Sequence, residues 1–170
     1  MEKIILRTAT VQDIPSLWNI ALAMGAAKID GYFDHALDHQ SEGIRKVLIA
    51  SVDEVDVGYG MLAWQPKYVF FQRLDIPEIQ DLNVISNYRR CGIASQMIQL
   101  FEDLAKDAGK EHIGIGVGMD ASYGAAQRLY VHRGYVPDGN GLTYDRQTIH
   151  RGDIRAVDDD MSLMLVKKLV

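Results

Sequence analysis

Residues 77–109 read PEIQDLNVISNYRRCGIASQMIQLFEDLAKDAG, and their pattern decides the fold. An apolar strand is expected over 79–85. A polar turn follows, Ser86-Asn87-Tyr88-Arg89-Arg90-Cys91-Gly92. Beyond it Ile93, Met97, Leu100, Leu104 and Ala108 recur at spacings of three and four, the signature of an amphipathic helix. Gly109 suits the left-handed residue that ends a helix, and Lys106 places a cation in the last turn, where the helix dipole favours one.

The turn carries the chemistry. A helix N-terminus exposes about four unpaired backbone N–H groups and a partial positive charge, so it can hold an anion. Here two arginines stand just before it. Gly92 lets backbone come close to a ligand, Ala94 is small, and Ser95 adds a hydroxyl. Strand, basic small-residue turn and helix together read as a phosphate cradle. It is not a Walker A loop, because no G-x-x-x-x-G-K-[ST] is present.

The spacing Arg89-x-x-Gly92-x-Ala94 fits the acyl-CoA motif R/Q-x-x-G-x-G/A. With Asp81-Leu82-Asn83-Val84 ahead of it, the stretch resembles the central motif of the GNAT superfamily of acyl-CoA-dependent N-acetyltransferases. A second segment, Ala125-Ala126-Gln127-Arg128-Leu129-Tyr130 through Gly134-Tyr135, resembles that superfamily's A-x-x-L-Y-x-x-x-G-F/Y signature. One departure stands out. Many members carry Asn where this chain has Tyr123, and that Asn commonly contacts the cofactor.

Composition sets the bounds. A chain of 170 residues, 48% apolar and 24% charged, is expected to form one soluble globular domain over 1–170. Its net charge of −5 argues against a general nucleic-acid binder. A single cysteine excludes an internal disulfide framework. The N-terminus lacks a long apolar signal segment and no run reaches transmembrane length, so a cytoplasmic protein without membrane partners is expected.

Outward from the central stretch, a first strand is expected over 3–8. A helix follows, capped by Thr10 or Asp13, with Pro15 in its first turn. By resemblance, residues 25–40 wall the acceptor site. His35 and His39 share a helix face, but no Glu follows His35 and no third ligand is evident, so no metal is expected. Residues 45–52 and 55–64 read as a hairpin turning near Asp53-Glu54. Gly58 and Gly60 in its second strand mark a bulge or a close approach. Tyr68, Phe70 and Phe71 cover either the substrate cleft or the core. In HIGIGVG, 112–118, apolar residues alternate with glycines, as in a strand with one bare face. Ser122 is expected to cap the next helix. Gly116-x-Gly118-x-x-Ala121 matches a dinucleotide fingerprint, but no acidic residue ends a following strand, so NAD binding ranks below acyl-CoA binding. The stretch 145–160 reads as a long polar connection, with Asp158-Asp159-Asp160 facing either solvent or a cationic substrate, and 161–169 as a last strand.

The resemblance implies an α/β fold with a mixed, mostly antiparallel sheet of about seven strands and helices on both faces. It implies acetyl-CoA as acyl donor, with pyrophosphate on Arg89, Arg90, Cys91, Gly92, Ile93, Ala94 and Ser95, and pantetheine along Leu82, Asn83 and Val84. The acceptor is a primary amine of a small molecule or protein, acetylated by direct transfer, and a homodimer is compatible with it. An amine must lose its proton before attack, so a base is needed. Glu78 and Asp81 are the carboxylates on the central strand. They lie three apart and so point to opposite faces unless a bulge intervenes. Glu78 is favoured, at a position where some members carry their base. Tyr130 is the expected general acid. Cys91 lies inside the phosphate turn without an evident His–carboxylate partner, which makes it a poor nucleophile. The reading from another class is a non-catalytic acyl-CoA sensor.

Overall fold

The computed structural model describes residues 3–169. In chain order its elements are β1 (Ile4–Thr8), α1 (Ile14–Ala23), α2 (Tyr32–Ser41), β2 (Arg45–Val52), β3 (Val55–Ala63), α3 (Val69–Arg73) and β4 (Glu78–Val84). After these come α4 (Ile93–Asp107), β5 (His112–Gly118), α5 (Gly124–His132), β6 (Val136–Tyr144), β7 (Gln147–Thr148) and β8 (Met161–Lys168). The described residues thus hold eight strands rather than about seven. The addition is the two-residue β7, inside the stretch expected as a polar connection. Asp145 and Arg146, at φ 47° and 63°, fold it back as a tight hairpin on β6. The pairs β1–β2, β2–β3, β5–β8, β6–β8 and β6–β7 are antiparallel.

The chain divides into two compact units. One takes the residues up to Trp64 together with Ile79–Asp103, the other Gln65–Glu78 and the residues from Leu104 onward. In the first, the strands run β1-β2-β3-β4. The β2–β3 hairpin turns on Asp53 and Glu54, both left-handed, as a two-residue loop requires. Tyr59 and Met61 pack with Leu17, Ile20, Phe33, Val47 and Ile49 under α1 and α2. Phe33 sits edge-on to Trp18 at 5.0 Å and to Tyr59 at 5.2 Å. Gly60, between Tyr59 and Met61, faces the other way. A Cβ there would meet Leu82 at 3.0 Å, Phe101 at 3.2 Å and Met97 at 3.3 Å, so glycine lets α4 settle on that face. Helices therefore cover both faces of this half. Gly58 instead makes room for β4, because a Cβ there would meet the Asn83 carbonyl oxygen at 2.8 Å.

Along α4 the buried stripe differs from the expected one. Ile93, Met97, Ile98, Phe101 and Ala105 are buried, whereas Leu100 and Leu104 are only half-buried and Ala108 lies past the helix end. The expected face is centred too far to one side because it omits Ile98 and Phe101. The C-terminus closes as expected. Gly109 takes φ 75°, its N–H donates to Lys106 O (2.8 Å), and Lys110 N–H reaches back to Ala105 O (2.9 Å).

In the second unit the strands run β5-β8-β6-β7. Tyr68, Phe71, Ile76 and Met164 form one cluster of its core, so Tyr68 and Phe71 serve packing. The bare face of β5 is filled from outside. A Cβ on Gly114 would overlap the Phe71 ring, one on Gly118 the Tyr123 ring, and one on Gly116 would press on Met164 Sδ at 3.1 Å and Arg146 at 3.2 Å. The apparent dinucleotide fingerprint is therefore a packing pattern. Asp120, not Ser122, accepts the first N–H ahead of α5, at 2.7 Å. No described helix is long and apolar enough to cross a membrane.

Candidate active site

The turn between β4 and α4 is built by alternating backbone hand. Arg90 takes φ 63° and Gly92 φ 84°, with Cys91 between them on the ordinary side. Such alternation makes successive N–H groups converge on one point. Five amides there, those of Arg90, Cys91, Gly92, Ile93 and Ala94, donate to no backbone or side-chain acceptor among the described residues. Further along, Gln96 N–H donates to Gly92 O at 3.0 Å. Arg89 staples the turn to the strand end through Nε–H to Val84 O (3.1 Å), and its guanidinium and that of Arg90 stay exposed. Cys91 is exposed and its thiol meets only Arg89 O, at 3.5 Å. A Cβ on Gly92 would touch nothing closer than Gln96 at 3.9 Å, so glycine is required there by its φ and not by crowding.

Asp81 is a left-handed residue inside β4, at φ 52°. A non-glycine there marks a strained, bulged strand. Its side chain enters a half-buried cluster of the first unit. Lys28 Nζ donates to Oδ1 at 2.9 Å, the Tyr32 hydroxyl to Oδ2 at 2.9 Å, and Asn83 Nδ2 to Oδ1 at 2.8 Å. Lys28 also lies over the Tyr32 ring, 4.6 Å from its centre. The fully buried Tyr59 hydroxyl lies near Asp81 and Asn83 without reaching hydrogen-bond geometry. Burial first, then the Asp81 charge, pushes the Tyr32 and Tyr59 phenols far above their ordinary value.

Glu78 occupies the start of β4 and is completely buried. Arg146 from the β6–β7 turn grips its Oε1 with Nε (2.9 Å) and Nη2 (2.8 Å), and also donates to Ser162 Oγ at 3.1 Å. Glu78 Oε2 is enclosed and accepts nothing. Sequence reasoning misses Arg146. The only hint is the bare glycine face of β5, which something has to cover.

Tyr130 lies on α5, 6% exposed, and its hydroxyl has no hydrogen-bond partner among the described residues. Burial, helped by Tyr123, pushes its phenol up to about 12. Tyr135 packs beside it at 6.3 Å. Tyr123 donates its hydroxyl to Asp159 Oδ1 at 2.8 Å. Asp158 accepts from Tyr144 at 2.7 Å. Two of the three consecutive aspartates thus tether the 145–160 loop. His35 and His39 are both exposed on α2, and no described group of three His, Cys, Asp or Glu is placed to hold a metal.

Comparison with known proteins bears on this arrangement. No curated protein matches the chain. Solved structures do, at low identity. An N-acetyltransferase from Staphylococcus aureus Mu50 superposes with TM-score 0.71 at 17% identity, over 99% of each chain. A ribosomal-protein-alanine N-acetyltransferase from Brucella melitensis gives 0.70 at 18%, over 97% of this chain and 99% of that one. The protein yncA of Salmonella typhimurium, solved with its cofactor acetyl-CoA, gives 0.70 at 17%, over 99% and 95%. Those likenesses speak for the fold. The family model for acetyltransferases of the GNAT type matches residues 14–135, which include both signatures, and the chain belongs to that family.

Proposed function

We propose that the protein is an N-acetyltransferase that moves an acetyl group from acetyl-CoA directly to a primary amine. The observation that carries this is the row of five unpaired amides from Arg90 to Ala94, at the start of a helix and beside two exposed arginines. Unsatisfied backbone donors on a bent, positive helix start are the complement of a phosphate. Acetyl-CoA supplies a pyrophosphate for that cradle and a thioester for the chemistry. Pantetheine is assigned to the backbone of Leu82, Asn83 and Val84, just past the left-handed Asp81 that interrupts the strand.

The acceptor nitrogen must give up a proton, form a bond to the acetyl carbon, and release the sulfur, which takes a proton. Glu78 is proposed as the base. Arg146 holds one of its oxygens, and the other, though enclosed, accepts from no described group. Asp81 has donors on both oxygens. Tyr130 is proposed as the acid, because burial keeps its phenol protonated at neutral pH and its hydroxyl has no competing partner among the described residues.

The test is calorimetry of acetyl-CoA binding to Gly92→Glu and Gly92→Ala, with thiol release from acetyl-CoA measured on an amine panel. Alanine at φ 84° costs about 1–2 kcal/mol of backbone strain. Glutamate adds a like charge where the pyrophosphate sits, so binding should fall at least tenfold beyond the alanine variant. Equal affinity in folded Gly92→Glu removes the cradle from the cofactor site. Tight binding with no thiol release from any amine favours the sensor instead.

A further inference from the structure

Arg45, at the start of β2, has no carboxylate within ion-pair distance among the described residues. Its Nε is enclosed and donates to nothing, its Nη1 meets the thioether of Met61 at 3.1 Å, and its guanidinium also bears on the neutral Tyr32 hydroxyl, by hydrogen bond as well as charge. Sulfur is a weak acceptor. Arg45 lies beside the polar cluster around Asp81, since the Met61 it touches packs in one cluster with Tyr59 and Tyr32. The charges there do not cancel. Asp81 is neutralised by Lys28 at 2.9 Å, which leaves the guanidinium uncompensated. In the same cluster, near Asp81 and Tyr32, the buried Tyr59 hydroxyl also donates to nothing. Lys28 and Asp81 are 18% and 15% exposed, so the cluster reaches solvent.

A half-buried guanidinium without an anion is costly, and proteins seldom keep one unless something pairs with it. The missing partner is a single negative charge with two oxygens. A carboxylate matches the planar guanidinium fork. A phosphate would bring a second charge next to Asp81, which the single excess cation cannot offset. Asp81 immediately precedes the Leu82–Val84 stretch assigned to the acyl donor. We infer that Arg45 binds a carboxylate of the acceptor, so that the acceptor is a small amine of the amino-acid type. The inference rests on the acetyl-transfer reading for the word acceptor, but the carboxylate site stands on the cluster alone.

The experiment titrates L-amino acids, each alongside its α-amide, into the full chain saturated with coenzyme A, by calorimetry. At least one free acid should bind tenfold or more tightly than its amide. In Arg45→Met that preference should vanish, a loss of about 10- to 100-fold for the acid, with acetyl-CoA affinity unchanged. Arg45→Lys should keep only part of it, because a point charge cannot reproduce the fork. Should Arg45→Met not fold, this milder variant decides alone. No acid preferred over its amide in the wild-type protein, or a preference that survives either substitution intact, overturns the inference. Peptides with an acidic second residue, tested against their amide forms, separate the sources: a preference confined to peptides overturns the small-acceptor assignment. Thiol release is measured separately with the preferred acid. Binding without release refutes acetyl transfer and leaves the carboxylate site in place.

Discussion

Tyr130 and Glu78 are single side chains whose surroundings differ from those of their neighbours in kind. Tyr68 gives its hydroxyl to Asp138 at 2.7 Å, and Tyr144 gives its own to Asp158. Tyr130 gives its hydroxyl to nothing described, as does Tyr59, but only the Tyr59 hydroxyl is among the enclosed ones. Tyr130→Phe removes only that hydroxyl. If it protonates the leaving sulfur, kcat should drop by about 100-fold or more with acetyl-CoA affinity kept. Glu78→Gln should lower kcat/KM by about 100-fold or more at neutral pH, with partial recovery at high pH as free amine accumulates. Wild-type kcat in Tyr130→Phe, with chemistry rate-limiting, makes the ring structural. An unaltered pH profile in Glu78→Gln moves the base role to Asp81, for which Asp81→Asn is the corresponding variant.

At the scale of elements, the entry to α1 shows how a few residues fix a helix start. Asp13 accepts from Thr10 N–H at 2.7 Å and closes a capping box with the Thr10 side chain. Arg7 of β1 grips both carboxylate oxygens, at 2.7 and 2.8 Å. The Arg7 hydrogen bonds hold the Asp13 carboxyl down at about 2. A depressed carboxyl contributes stability that is complete above its unfolded pKa and disappears as pH falls through the folded one. The window is therefore roughly pH 4 to 2. Arg7 is 40% exposed, so water weakens the pair, and about 1–2 kcal/mol is expected. Urea unfolding of Asp13→Asn should show that deficit at pH 7 and converge on wild type near pH 2. A deficit of the same size at both pH values would assign the loss to packing.

Across the whole molecule, buried phenols set an alkaline limit. Tyr32 and Tyr59 in one unit and Tyr68 and Tyr130 in the other all have their ionisation pushed up, in each case first by burial. The sign follows from linkage. Unfolded tyrosines lose their protons near pH 10, and the folded ones hold theirs to about 12 or beyond. The unfolded state therefore binds fewer protons over that interval, and stability falls as pH rises. Urea midpoints should be flat from about pH 7 to 9 and fall steeply between about 10 and 12, with tyrosinate absorbance appearing together with unfolding. Tyrosinate that appears near pH 10 while the fold persists would place these rings in contact with water.

Much of this protein is readable in local sequence, where the deciding physics is local. The turn at Arg89–Ser95, the left-handed Gly109, the hairpin at Asp53-Glu54 and the Thr10–Asp13 cap depend on backbone sterics and on hydrogen bonds between residues a few positions apart. The family signatures lie in two such segments. The partners of Glu78 and Asp81 are not readable in this way. Arg146 is 68 positions from Glu78, and Lys28 is 53 from Asp81. Nothing in the vicinity of either carboxylate announces such a match. The same holds for Gly114 and Gly118 of β5, whose missing side chains are replaced by Phe71 and Tyr123 from other segments. Local sequence determined the elements and the anion-binding turn. Only tertiary packing decided which charges are paired, and it left Arg45 without a carboxylate and Glu78 with one oxygen free, because pairing depends on distances that sequence separation does not encode.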